Sequence, residues 1–365
     1  MKLHFYFGRK FLWMFLGIFA VFLMLQMLID LIEQIRRLQA TDAAFAEAVG
    51  LTLLRAPKSI NQILPLIVIL ATVALFLGLA RSSELVVVRA AGRSALVSLL
   101  GPVLVVMALG LLAVSTFNPI VAATSKRYHE LYQTYRNGGV DVLSISSEGL
   151  WLRQGGAEGQ TVIRASSANP EATVFFDVTF VAYSPKGGPL RRIEAQQARL
   201  GDRKWNLTGA KVWPLAKGLN PEGGATEHAQ FEIPSTLTHD RIRDSFATPS
   251  AISVWDLPAY IDQLEQAGFS ARRHLVWFQM ELARPLFLTA MVLIGAAFTM
   301  RHARGGGTGI AVLISLLLGF GLYYIRNFAQ ILGENGQIPV MLAAWAPPVA
   351  SVLLALGLLL HMEDG

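Results

Sequence analysis

The sequence predicts an α-helical membrane protein with an all-β domain inserted between its third and fourth spans, and three observations predict it. Six runs of about 20 mostly apolar residues recur along the chain, each long enough to cross hydrocarbon with its backbone hydrogen bonds satisfied internally. A polar middle stretch instead alternates with the two-residue period of strands and is punctuated by glycine and proline. Finally, 53% of the 365 residues are hydrophobic and only 15% charged, with a mean hydropathy of +0.46, a balance rare in soluble domains.

The elements follow in order. Met1 to Lys10 is basic and leads into an apolar run ending near Ile29. That run is too long for the apolar core of a signal peptide and lacks a small-residue cleavage site, so an uncleaved first span is expected. The six spans run from Phe11 to Leu31, Ile60 to Ala80, Leu96 to Asn118, Leu275 to Met300, Thr308 to Ile331 and Val340 to Leu360. Lys2, Arg9 and Lys10 precede span one, Arg81, Arg89 and Arg93 follow span two, and Arg301 and Arg304 follow span four. Positive charge in short loops marks the cytoplasmic side, although Arg36, Arg37, Arg55 and Lys58 lie opposite. Both termini are then cytoplasmic and the middle domain lies outside.

Within that domain strands are predicted over Val140 to Arg153, Gln160 to Ala165, Thr173 to Tyr183, Arg191 to Leu200, Lys204 to Trp213 and Gln230 to Ile233. In the third run Val174, Phe176, Val178, Phe180 and Ala182 share one face and Phe175, Asp177, Thr179, Val181 and Tyr183 the other. Two partly apolar faces suit a sandwich or jellyroll with an internal groove. Turns are read at Gly155-Gly156, at Pro185 to Gly188 and at Pro221 to Gly224. The expected domains are 1–137, holding spans one to three with a short cytoplasmic helix near 82–94; 138–255, the β-domain; and 256–365, spans four to six.

The +6 charge and pI near 9.6 reflect basic residues beside apolar runs rather than aromatic-interleaved clusters, which favours membrane lipid over nucleic acid as partner. Without cysteine, disulfides, thiolate catalysis and cysteine-held metals are excluded. G-x-S-x-G and H-E-x-x-H are absent, and the seven histidines are scattered, so no catalytic or metal residue is assigned. The run Gly305-Gly306-Gly307-Thr308-Gly309 lacks a P-loop lysine and reads as a flexible connector.

Three features carry functional information. In the loop after span two, Glu84, Leu85, Val88 and Ala91 recur at helical spacing; the helix either docks on a soluble partner or lies at the lipid interface with its arginines snorkelling. Basic residues gather at the outer ends of spans one and three: Arg36, Arg37, Lys126, Arg127, His129 and Arg136. They suit phosphate recognition or ordinary headgroup anchoring. Arg326 interrupts span five without a partner three or four residues away, whereas Glu281 and Arg284 are spaced as an intrahelical pair.

Several of these segments resemble a known family. "RSSELVVVRAAGRS" is similar to the R-S-E-L-V-x-M-x-A-x-G coupling helix of the LptF/LptG permeases. "SSEGLWLRQ", opening the β-domain, is similar to the G-L-W of the LptG branch, which LptF chains usually lack, and "RAPKSINQILPL" at the start of span two also looks like the family's. The resemblance covers essentially the whole chain and its order of three spans, periplasmic β-jellyroll and three spans. It implies a non-catalytic permease subunit of the inner-membrane ABC transporter that extracts lipopolysaccharide and passes it to the periplasmic bridge toward the outer membrane. It further implies a heterodimer with LptF, an LptB ATPase dimer that uses the ATP, associated LptC, and no cofactor on this chain.

By alignment the family's lipid A phosphate contacts fall on Arg36 and Arg37 and on Lys126 and His129; the charge pattern adds Arg136 and Arg326 as lipopolysaccharide-binding residues. Coupling to the ATPase falls on Glu84, Leu85, Val88, Arg89, Ala91 and Gly92. A lysine of some relatives in span one is Asp30 here, and an arginine after span three is His129. Closure of LptB, passed through the Glu84 helix to spans two and three, would collapse a cavity and expel the lipid tails. Alternatives are an LptF paralogue of the same exporter, or a membrane scaffold or lipid-binding protein without transport.

Overall fold

The computed structural model describes residues 2–39, 44–90, 95–137, 143–146, 149–156, 159–170, 172–185, 188–215, 220–238, 242, 248–300 and 308–364, with some side chains in these ranges, those of Arg89 and Arg136 among them, outside that description. The chain divides into a helical unit, residues 1–136, 249–255 and 272–365, and a sheet unit, residues 137–248 and 256–271. The sequence reading ends the insert at residue 255; the chain instead returns to the helical unit for 249–255 and then gives 256–271 to the sheet unit.

The helical unit begins with α1 (Lys2–Leu38), α2 (Phe45–Arg81) and α3 (Glu84–Ala90). Next, α4 (Ala95–Leu112) runs through a π-helical turn, Ala113–Phe117, into α5 (Asn118–Asn137). After α6 (Leu257–Gln266) of the sheet unit come α7 (Arg272–Leu282), α8 (Arg284–Thr299), α9 (Thr308–Glu334) and α10 (Val340–Asp364). Among the described residues α1, α2, the α4–α5 stretch, α9 and α10 are long and apolar enough to cross a membrane, and α7 with α8 add a candidate if that pair, bent by 50°, counts as one span. The span expected from Leu275 to Met300 is thus made of two helices that bend at their junction. Pro285 is the physical reason, since it has no N–H to return to the Glu281 carbonyl. The glycine run is read only from Thr308 onward, because 301–307 lie outside the described residues.

At 37 residues each, α1 and α2 are about 55 Å long against a hydrocarbon core of about 30 Å. Their ends therefore carry polar residues beyond the apolar layer. The centre is built by α2 and α8, where Ile67, Val68, Leu75 and Phe76 pack with Phe287, Met291 and Ile294, all buried. In lipid such packing is driven by close contact rather than water exclusion, so small residues mark the crossings. A Cβ on Gly101 of α4 would sit 2.3 Å from the His4 carbonyl oxygen of α1, and one on Gly295 of α8 would sit 2.9 Å from Thr72 of α2.

Two prolines free carbonyls that other side chains then use. Pro119 cannot donate to the Ser115 carbonyl, and the Trp255 indole Nε1 donates to that oxygen at 3.1 Å. Beside it the Val254 amide donates to Asn118 Oδ1 at 2.8 Å, so segment 249–255 is tied to the π-helical turn of its own unit. Likewise Pro65 leaves the Asn61 carbonyl open, and Arg284 approaches it.

The sheet unit contains β1 (Leu143–Ser146), β2 (Gly149–Gly156), β3 (Gly159–Ala165), β4 (Ser167–Ala168), β5 (Val174–Tyr183), β6 (Pro189–Leu200), β7 (Lys204–Pro214) and β8 (Thr226–Pro234). They form one antiparallel sheet in the order β1-β2-β3-β5-β6-β7-β8, with β4 also on β5. The run expected from Val140 to Arg153 is two strands, with Ser146 opposite Gly149. Its apolar positions betray the break, switching from odd numbers, Leu143 and Ile145, to even ones, Leu150 and Leu152. The turn expected at Gly155-Gly156 is also displaced, since both residues pair within the β2–β3 ladder. Gly159 supplies the necessary freedom there: its φ is +118° and a Cβ would lie 2.0 Å from the Tyr183 carbonyl oxygen.

Face assignment in β5 needs correction too. Phe175, Val178 and Phe180 are buried, whereas Phe176 is 39% exposed. The ladder skips Ser166 opposite Asp177, Asp177 opposite Gln196, Gln196 opposite Gly209 and Gly209 opposite Ala229, while the register on either side is unchanged. Asp177 has φ +48° and Gly209 φ +64°. One extra residue thus stands in the same row all the way from the β3–β4 junction to β8, and the pleat reverses phase without a register slip. The same reversal appears as buried Ala195 and Ala198 in β6 and buried Leu207 and Ala210 in β7. Trp205 fills the interior edge-on to Phe175 and Phe180. Its Nε1 donates to Gln154 Oε1 at 3.3 Å, which also accepts from Ser235 Oγ at 3.2 Å. Through Gln154 the curled sheet brings β2 to the residues just after β8.

Candidate functional site

At one end of the helical unit, α1, α2 and α5 bring polar side chains together. Arg55, Lys58, Ser59 and Gln62 recur at spacings of three and four, so they share a face of α2. Across from them Asp30 of α1 is fully buried and accepts from Ser59 Oγ at 2.8 Å. Arg55 Nε lies 3.8 Å from Asp30, and its NH1 is 3.1 Å from Glu33, which is also paired with Arg37 one turn on. Gln34 donates to Tyr128 Oη at 3.2 Å, fixing α1 against α5. Arg37, Arg55, Lys58, Gln62, Ser125 and His129 line a cavity of about 300 Å³.

Electrostatics decide what this cavity favours. Lys58 makes no ion pair among the described residues, and Arg55 and Arg273 are near enough to repel it. Three lining cations, Arg37, Arg55 and Lys58, therefore stand against two carboxylates, Asp30 and Glu33. The cavity is donor-rich and suits an anionic group with several acceptor oxygens.

Of the residues expected from sequence, Arg37 and His129 meet here. Arg36 and Lys126 are exposed and do not line the cavity, the Arg136 side chain lies outside the described residues, and Arg326 is elsewhere. Arg55 and Lys58 were read only as loop charges. Their signal was the three-residue spacing to each other and on to Gln62 along one helical face.

A second cavity, about 240 Å³, is lined by Asn61, Trp277, Arg284, Phe287, Arg326 and Gln330 among others, with Gln62 common to both. Arg284 is nine-tenths buried, pairs with Glu281 across the α7–α8 bend and donates to Asn61 Oδ1. The expected Glu281–Arg284 pair is therefore present. Arg326 lies over the Phe287 ring, 5.2 Å from its centroid.

At the opposite end of α2, Glu84 opens α3. Its carboxylate accepts from Tyr6 Oη at 2.9 Å, Lys10 Nζ at 2.8 Å and Ser82 Oγ at 2.8 Å. Partial burial raises its pKa, but these donors, Lys10 first, outweigh burial and hold it below the ordinary carboxylate range. The outward face differs from the one drawn from sequence. Leu85 is buried and Val88 packs on the helical core, while Val86 and Val87 are 41% and 68% exposed. A two-turn helix lying on a core turns its i, i+3 apolar pair inward, leaving the residues between them outside. Ala91 and Gly92 lie outside the described residues, as does the Arg89 side chain.

Comparison with known proteins adds the following. The family described as "Lipopolysaccharide export system permease LptF/LptG" matches residues 5–361. The chain is 22% identical over 374 residues to a Haemophilus influenzae protein named "Lipopolysaccharide export system permease protein LptG", covering 98% of each chain. To the Escherichia coli K12 protein of the same name it is 23% identical over 356 residues, covering 95% of each.

Proposed function

The chain belongs to the lipopolysaccharide export system permease LptF/LptG family, a multi-pass inner-membrane permease subunit, and on that premise we propose that it is the LptG-type half of the exporter. In this reading it crosses the membrane six times, with α7 and α8 as one broken span, both termini cytoplasmic and the sheet unit serving as the periplasmic jellyroll-like domain. It pairs with LptF, associates with LptC, and takes its energy from a cytoplasmic LptB ATPase dimer that contacts α3. The chain itself hydrolyses nothing and binds no cofactor.

The carrying observation is the donor-rich cavity of Arg37, Arg55, Lys58 and His129, which supports capture of lipid A phosphates at the outer ends of α1, α2 and α5. Arg36, Lys126 and Arg136 would guide the headgroup from the rim. At the other end, Glu84 is bound to Lys10 and Tyr6 of α1, which supports transmission of ATPase closure through α3 into both α1 and α2. Since each CH₂ exposed to water costs about 0.8 kcal/mol, the acyl chains would leave along the apolar outer flank of α1, where Met24, Leu28 and Ile32 are exposed.

Reconstitution of the full exporter in proteoliposomes tests this reading through ATP-dependent release of lipopolysaccharide. Arg55→Glu combined with Lys58→Glu is expected to reduce release about tenfold or more, since each charged hydrogen bond contributes about 1.5–3 kcal/mol. Unchanged release would remove the cavity from the mechanism.

A further inference from the structure

The second cavity stands apart from the outer cluster in its chemistry. Two guanidinium groups, Arg284 and Arg326, belong to its wall, and no carboxylate lines it. Glu281 contacts Arg284 but is not a lining residue. Three donors there lack an oxygen acceptor among the described residues: Arg284 Nε and Trp277 Nε1 are buried without a hydrogen-bond partner, and Arg326 has only the Phe287 ring face. Buried donors without acceptors are costly, and buried cations more so. The volume, about 240 Å³, is some eight times the roughly 30 Å³ share of one water, so a compact oxyanion fits with part of its hydration.

We propose that this cavity is an anion-binding site for a single phosphate group, clamped between Arg284 and Arg326 with the Trp277 indole as third donor. A guanidinium offers paired N–H groups in the plane a phosphate presents, and two of them reproduce the forked geometry from both sides. Asn61, whose carbonyl Pro65 frees and whose Oδ1 Arg284 holds, positions the Arg284 fork. The phosphate is either free inorganic phosphate or the headgroup of an amphiphile reaching inward past Gln62. The site stands independently of the export reading, because phosphate binding is measurable on the isolated chain.

The test uses the full chain in nanodiscs of uncharged lipid. Binding of inorganic phosphate, and separately of a short-chain phosphatidic acid, is followed by the fluorescence change of wild type against Trp277→Phe and by calorimetric titration. Arg326→Gln is expected to weaken binding of the recognised ligand about tenfold or more, with Lys204→Gln, an exposed position of the sheet unit outside both cavities, leaving it within about twofold. Trp277→Phe is expected to abolish the fluorescence response and weaken the calorimetric affinity less than Arg326→Gln does. Phosphate binding with this pattern establishes the site with the free ion as occupant, and binding of phosphatidic acid alone establishes it for a headgroup. Loss in Lys58→Gln but not in Arg326→Gln, or binding of neither ligand, would overturn it. Should Arg326→Gln fail to insert, Arg326→Lys, which keeps the charge but not the fork, is expected to weaken binding measurably, and unchanged binding would overturn the proposal.

Discussion

Lys58 is the charge in the outer cluster least compensated by its neighbours, for Arg55 and Arg37 have carboxylates and Lys58 has none among the described residues. Lys58→Gln is therefore expected to leave insertion and thermal stability unchanged while weakening lipopolysaccharide capture about tenfold, read by photo-crosslinking in the assembled exporter. Arg55→Gln should differ, because it strands buried Asp30. A loss of about 1–3 kcal/mol in folding stability is expected there, measurable by denaturant unfolding in detergent. Glu84 gives a pH prediction. Its folded pKa lies below the ordinary value of 4.5, so its contribution is complete above that value and is lost only as pH falls through the lower folded one. Association with the ATPase should thus be flat in this respect from pH 8 to pH 5 and fail only in stronger acid; a midpoint near neutrality would assign the transition to another group. At this scale sequence was a partial guide. Arg37 and His129 were legible as basic residues near span ends, but the partner that makes a charge structural or free lies on another helix. No spacing rule reaches from Arg55 to Asp30 or from Arg326 to Phe287.

Among elements, the α4–α5 helix shows how a local rule acquires a distant partner. Pro119 removes one backbone donor, the helix widens into a π-helical turn, and Trp255 supplies the missing hydrogen bond from more than a hundred residues away. Trp255→Phe keeps the ring and deletes the donor. Faster amide exchange is expected at residues 249–255 and 113–119, with exchange in α2 unaffected. Gly101→Leu attacks a crossing instead: a side chain there meets the α1 backbone, so α1 and α4 must separate, and a lower melting temperature in detergent is expected. The apolar spans were legible because lipid demands continuous hydrophobicity. Their breaks were legible only as the presence of proline, since whether Pro285 bends a helix by 50° or is tolerated depends on what packs beside it. The inward face of α3 was misread for a related reason, because periodicity gives the existence of a face but not which side the core lies on.

For the whole molecule, the two units have separate hydrophobic interiors, and perturbing one should not melt the other. Trp205→Ala is expected to destabilise the sheet unit by about 3–5 kcal/mol, shifting its unfolding in urea while the helical signal keeps its midpoint; a common shift of both would show that they unfold together. The division of the chain into spans and an alternating insert was plain from hydropathy. Its final boundary was not, because the chain returns to the helical unit for 249–255 and goes back to the sheet unit for 256–271, an alternation that only contacts between distant residues define. The row formed by Ser166, Asp177, Gln196, Gly209 and Ala229 also bears on how such a sheet can change over generations. Removing one of them would throw a single strand half a pleat out of step with its neighbours and turn its apolar residues to water. Removing the whole row would restore an ordinary ladder. Length changes at these positions should therefore be inherited together, so a relative with a gap opposite Gly209 is expected to carry compensating gaps opposite Ala229, Gln196, Asp177 and Ser166.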